Sequence, residues 1–237
     1  MNADSPDLGR RALAEGLAAF ALVFAGCGAI IADTRHHGLG AVGVSLTFGL
    51  IIMVMVYATG HLSGAHINPA VTLAFTLTRH FPLRDAIAYV AAQAAGAIAG
   101  ALALLAVWTD RPAHLGATLP SVSSGSALLY EVILTAFLMF VIMAVATDTR
   151  AVGAGAAIAI GGTVGVDALF GGSVTGASMN PARSLGPALV AGEWHGFWIY
   201  LLGPVLGAAL GALAYQLVRG GPGPAARPEM PHPQGTS

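Results

Sequence analysis

Two short stretches hold the residues that could do chemistry: Gly64-Ala65-His66-Ile67-Asn68-Pro69-Ala70 and Gly176-Ala177-Ser178-Met179-Asn180-Pro181-Ala182. In each, Asn is a good helix N-cap, because its side-chain oxygen accepts an orphan backbone N–H. The Pro that follows is preorganised for the first helical turn and has no N–H to satisfy. Small residues, Gly64 and Gly176 among them, let the preceding backbone pack closely. Such an Asn can also aim an amide N–H₂ into an open space. If the two starts met, two positive helix ends and two donors would converge. A water there would be held by its oxygen, with its hydrogens pointing away on both sides. That disfavours proton relay, and the helix ends repel cations.

Four other residues stand out in the same frame. Glu15 and Glu131 are carboxylates inside apolar runs, where ionisable groups are expensive and usually functional. They read either as acceptors for non-helical backbone or as proton carriers of a transporter. Arg183 follows the second Asn-Pro-Ala directly and places a permanent charge near it. His61 and His66 invite a metal reading, but five residues separate them where four would put both on one helix face. We therefore expect no metal and no other cofactor, and read His66 as pore-lining or loop-bracing. His36, His37, His80 and His114 read as solvated loop residues. Asp167 either lends charge to an outer vestibule or bonds the loop that follows it. Asp148 is a candidate cap for the fifth span. No nucleophile–base pair, nucleotide motif or ligand cluster supports an enzyme, so no catalytic residue is assigned.

The elements that must position these residues lie in a bilayer. Of 237 residues, 56% are hydrophobic and 9% charged, with a mean hydropathy of +0.75; a soluble domain carries roughly 25% charged residues. The net charge of −1 argues against a nucleic-acid partner. The single Cys27 excludes an internal disulfide and reads as a small buried apolar residue. Apolar runs near 12–32, 41–59, 83–107, 127–146, 151–170 and 197–218 each approach the ~20 residues that span a membrane. Arg10-Arg11 before the first run looks like a signal n-region. That run is long enough to span and carries Glu15, so it reads as a transmembrane helix. Residues 1–9 and the Pro- and Gly-rich 219–237 read as disordered.

The segments from Asn68 and Asn180 run only about eleven residues. At 1.5 Å each they cover roughly 16 Å, half of a ~30 Å hydrocarbon core. They fit as re-entrant half-helices, which membranes tolerate only when buried in protein or lining a wet cavity. The chain is thus two repeats, about 10–107 and 126–218, aligned by Glu15 with Glu131 and by the two Asn-Pro-Ala motifs. Glu15 precedes Asn68 by 53 residues and Glu131 precedes Asn180 by 49. Three spans per repeat force the second to sit inverted, which puts a site at the midplane. With the N-terminus inside, Arg10, Arg11, Arg79, Arg84, Arg150, Arg219 and Arg227 are cytoplasmic, while Arg35 and Arg111 are external. The glycine series Gly96/Gly100 and Gly203/Gly207/Gly211 suit close helix crossings.

Paired Asn-Pro-Ala motifs, the Glu15/Glu131 pair and six spans in an inverted repeat resemble the aquaporin, or major intrinsic protein, family over about residues 10–218. The stretch 174–189 resembles the nodulin-like intrinsic proteins, and the chain is expected to be a bacterial member. The resemblance implies an all-α membrane channel in the cell (plasma or inner) membrane, with both termini cytoplasmic and a homotetramer with one pore per subunit. It implies passive flow of water and of small neutral solutes such as glycerol, urea or neutral metalloid hydroxides. It assigns Phe48, Ala168, Ala177 and Arg183 to the selectivity constriction, Asn68 and Asn180 to the midplane, and Glu15 and Glu131 to bracing of the loops. Strict water channels resemble one another in having His where this chain has Ala168, so a wider aperture is expected. Ser184 stands where glycerol facilitators have Asp, and Phe48 where Trp would be. The other reading of the carboxylates is a proton-coupled secondary transporter built on the same inverted repeat.

Overall fold

The computed structural model describes residues 6–148 and 155–220. Six helices in it are long and apolar enough to cross a membrane. They are α1 (Leu8–His36), α2 (Gly40–Ser63), α4 (Leu83–Val107), α5 (Ser124–Thr147), α6 (Ala156–Thr175) and α8 (Phe197–Val218). Two short helices, α3 (Pro69–Leu77) and α7 (Pro181–Ala191), complete the bundle. They span 9 and 11 residues, so neither can cross a bilayer.

The helix boundaries have local causes. Asp7 caps α1 by accepting from the Arg10 N–H at 2.9 Å, so α1 begins two residues before the expected boundary. Gly64 and Gly176 take left-handed backbone, φ 89° and 86°, and stop α2 and α6. That stop carries α6 to Thr175, five residues past the apolar run. Asp148 closes α5 and accepts from the Tyr215 hydroxyl at 2.8 Å, while the position before α6 is Gly155. It is therefore not the cap of the fifth span. Residues 149–154, with Arg150, most of the Pro/Gly-rich tail with Arg227, and residues 1–5 fall outside the described residues.

Packing follows the repeat. α1 lies on α4, α5 lies on α8, and α2 of the first repeat crosses α6 of the second. The crossing is close because both helices have Gly at it. A Cβ built on Gly49 would sit 2.6 Å from the Gly161 carbonyl, and one on Gly161 2.5 Å from that of Gly49. Each half-helix packs on the last helix of the opposite repeat, α3 on α8 and α7 on α4. This reciprocity brings the starts of α3 and α7 together. The outer faces stay apolar and exposed, at Leu17, Leu50, Leu102, Phe137, Val166 and Leu210 for example. That is the surface a bilayer covers, and water would not.

Candidate functional site

Both Asn residues cap the helices they precede. Asn68 Oδ1 accepts from the Ala70 N–H at 2.9 Å, and Asn180 Oδ1 from the Ala182 and Arg183 N–H groups at 3.0 and 3.2 Å. Their amide nitrogens do something the sequence did not reveal. Asn68 Nδ2 donates to the Met179 carbonyl at 2.7 Å, and Asn180 Nδ2 to the Ile67 carbonyl at 3.0 Å. Each Asn thus holds the residue just before the other, and the half-helices are clasped head to head. One amide N–H of each Asn goes to this clasp and not to the lumen, because a buried carbonyl needs a donor. The second N–H of each Asn has no other role in the clasp. The two residues are 4% and 5% exposed and both line a cavity of about 60 Å³. At roughly 10–15 Å³ per water, that is space for a short file of waters.

The loops before the half-helices are held from behind by the carboxylates. Glu15 accepts from the His66 and Ile67 N–H groups at 2.9 and 2.6 Å, from the Ser63 hydroxyl at 2.7 Å and from the Gln93 amide at 2.8 Å. Glu131 accepts from the Ser178 and Met179 N–H groups at 2.9 and 2.8 Å and from the Thr175 hydroxyl at 2.7 Å. Two tyrosines add a second tie, Tyr89 donating to the Ser63 carbonyl and Tyr200 to that of Thr175. Neither tyrosine was singled out in the sequence. Ala65, Ile67, Ala177 and Met179 all have φ between 42° and 56°. Left-handed backbone at non-glycine residues is costly. These bonds are what hold it.

A further symmetric brace spans each half-helix start. His66 Nδ1 lies 3.1 Å from Thr72 Oγ1, and Ser178 Oγ lies 2.6 Å from Ser184 Oγ. Ser184 also meets Thr118 Oγ1 at 2.8 Å, so it faces protein. His66 lines the cavity and packs against the rings of Phe75, Phe81 and Tyr89 at 4.7–5.2 Å between centroids. His61 is exposed and apart from it. Gly64 lines the cavity too, whereas Gly176 packs against Thr118. His80 bonds Thr78 Oγ1 at 3.0 Å, and His114 approaches Glu193 at 3.5 Å, so neither is simply solvated.

Phe48, Ala168, Ala177 and Arg183 line the same cavity. Arg183 is 2% exposed and does not reach for the surface. Its Nη1 donates to the Gly116 carbonyl at 2.8 Å, and its guanidinium lies 5.1 Å above the Phe48 ring. Gly116 ends a tight turn, Pro112–Gly116, with left-handed backbone at Ala113, His114 and Leu115. Nothing in the spacing of that loop marked it as the seat of Arg183. Asp167 is buried, 2% exposed, within α6, and its Oδ2 has no partner, so through that oxygen it makes no bond to the following loop.

With this geometry in hand, likeness to known proteins is specific. The family profile "Major intrinsic protein" matches residues 2–215. Aquaporin NIP1-3 of Oryza sativa subsp. japonica is 49% identical over 216 residues, covering 91% of this chain and 76% of that protein. Nodulin-26 of Glycine max is 47% identical over 211 residues, covering 89% and 78%. The X-ray structure of the aquaglyceroporin from Plasmodium falciparum superposes with a TM-score of 0.80 at 27% identity, covering 90% of this chain and 97% of that one. Six spans, two clasped half-helices and these likenesses lead to one conclusion: the chain belongs to the major intrinsic protein family.

Proposed function

We infer that this chain, a passive membrane channel for water and small neutral solutes, screens charge at the Asn68/Asn180 clasp and solute size at Phe48, Ala168, Ala177 and Arg183. The observation that carries the reading is the reciprocal clasp. It fixes two helix N-termini against each other beside one continuous cavity. Two positive helix ends and two remaining amide N–H groups there bind a water oxygen and oppose a cation. The buried Arg183 charge adds a second cationic barrier at one end. The loop residues Gly64, Ala65, His66, Ala177 and Ser178 line the cavity together with the apolar Val164, Ile52 and Leu138.

Four hydrogen bonds accepted by Glu15 and three by Glu131 support a bracing role, and no observation favours proton carriers. Ala168 and Ala177 are the smallest side chains that keep Cβ, which supports passage of glycerol, urea or neutral metalloid hydroxides besides water. The arginine asymmetry supports a cell-membrane protein with both termini cytoplasmic. Exposed apolar and glycine-rich faces on α2 and α6 support assembly into a homotetramer with one pore per copy.

Purified protein in liposomes tests the reading. Shrinkage in an impermeant osmolyte should be faster than in empty liposomes, and re-swelling in glycerol should follow. Water flux without glycerol flux would refute the wide aperture. Uptake that depends on an imposed proton gradient would replace the channel by the transporter.

A further inference from the structure

We propose that Gly26 of α1, which lies outside the four lumen-lining constriction residues, is a specificity-determining residue that sets how far Phe48 projects into the pore. The inference rests on the constriction reading above and extends it to a second layer. Leu22 and Gly26 are one helical turn apart and share a face. Leu22 lines the cavity, but at Gly26 the ring of Phe48 occupies the place a side chain would take. A Cβ built on Gly26 would lie 2.6 Å from both Cδ1 and Cζ of Phe48, and nearer still to Cε1. The Arg183 guanidinium also lies over the ring, 5.1 Å from its centroid. The ring thus contacts both α1 and Arg183, and its position depends on the missing side chain.

The next residue supports the other half of the constriction. Cys27 is fully buried against Gly116, where a built Cβ would be 2.6 Å from the Cys27 Cβ. The carbonyl of Gly116 is the one that holds Arg183. Two consecutive residues of α1 thus back the aromatic wall and the cationic wall. Restoring normal contact between a methyl at position 26 and the ring requires a shift of roughly 1 Å. The ring must move away from α1, and because Phe48 lines the cavity that displacement changes the aperture. Solutes wider than water lose most.

The test compares water and glycerol permeability of the full chain in liposomes. Gly26→Ala should lower glycerol flux roughly tenfold, the order expected for one methylene in a tight site, with water flux changed less than about twofold. Gly28→Ala is the control: its added Cβ meets only Leu104 at 3.4 Å, so both fluxes should stay as they were. Phe48→Ala removes the ring, and Gly26→Ala added to it should then leave the glycerol-to-water ratio of Phe48→Ala unchanged. A ratio unaffected by Gly26→Ala, or a further drop in the Phe48→Ala background, overturns the proposal. The double variant decides the matter even if Gly26→Ala alone does not fold. If Phe48→Ala itself leaves the ratio of the parent protein untouched, the constriction reading fails, and Gly26 with it.

Discussion

Asn68 and Asn180 each perform two tasks with one amide, the oxygen capping a half-helix and one N–H holding the opposite loop; the proposed third is that the other N–H faces the lumen. Asp would keep the cap, since it ranks with Asn there, but it would lose the donor and bring a negative charge. Asn68→Asp is therefore expected to give folded protein with a proton or cation leak. Vesicles loaded with a pH-sensitive dye read this directly; a variant as proton-tight as the parent would contradict the assigned role. At the other filter, Ala168→His should narrow the aperture and cut glycerol flux several-fold more than water flux, measured by swelling rates. Equal losses of both would remove Ala168 from the constriction. Arg183, stacked over Phe48 and bonded to Gly116, is set by protein contacts before any permeant arrives. Such preorganisation lowers the cost of each passage.

The re-entrant loops hold left-handed backbone at four non-glycine residues and are heavily tied. Glu131 takes two backbone N–H groups and one hydroxyl from the segment before α7. Leaving a buried N–H unsatisfied costs about 1–3 kcal/mol. Glu131→Ala should thus destabilise the protein by about 3 kcal/mol and abolish water and glycerol flux together. A thermal-unfolding assay in detergent checks the first and liposome swelling the second. A proton carrier would behave differently: its loss would stop coupled uptake while leaving the protein as stable as before. The crossing of α2 and α6 depends on Gly49 and Gly161 in the same sense. Gly49→Val is expected to cost at least about 1–3 kcal/mol through overpacking, seen as a lower midpoint in the same thermal assay.

For the whole molecule, two inverted repeats explain why the clasp is reciprocal. A near-twofold relation sends Asn68 to Met179 and Asn180 to Ile67 in one operation. The repeats are not identical, and the differences lie where selection is expected. His66 and Thr72 brace the first half-helix, and Ser178 and Ser184 the second. Arg183 sits at the position that matches Val71. The cavity lining therefore includes both the fixed charge of Arg183 and the aromatic cluster around His66. The outer faces of all six long helices are apolar. In detergent, light scattering should give the protein mass of four chains, each of 23.8 kDa. A mass of one chain would refute the tetramer and leave the single-chain pore intact.

Much of this protein is legible in its sequence. The six spans, the two half-helices and the inverted repeat follow from hydropathy, helix rise and bilayer thickness, all local or periodic quantities. Asn68 and Asn180 are legible because a cap is a local event, read from Asn and the Pro after it. The bracing role of Glu15 and Glu131 was one of two open readings. Hydrogen bonds across 51 and 47 residues, to His66 and Ser178, support it. Only the tertiary structure decided what those local signals meet. That the Asn amides hold opposite carbonyls, that Arg183 is seated on Gly116, that Asp167 is buried inside α6, and that Gly26 lies under Phe48 are contacts between segments far apart in the chain. A sequence specifies which groups need partners. Which partner each group finds depends on how the helices pack, and that is determined by the fit of all eight helices at once.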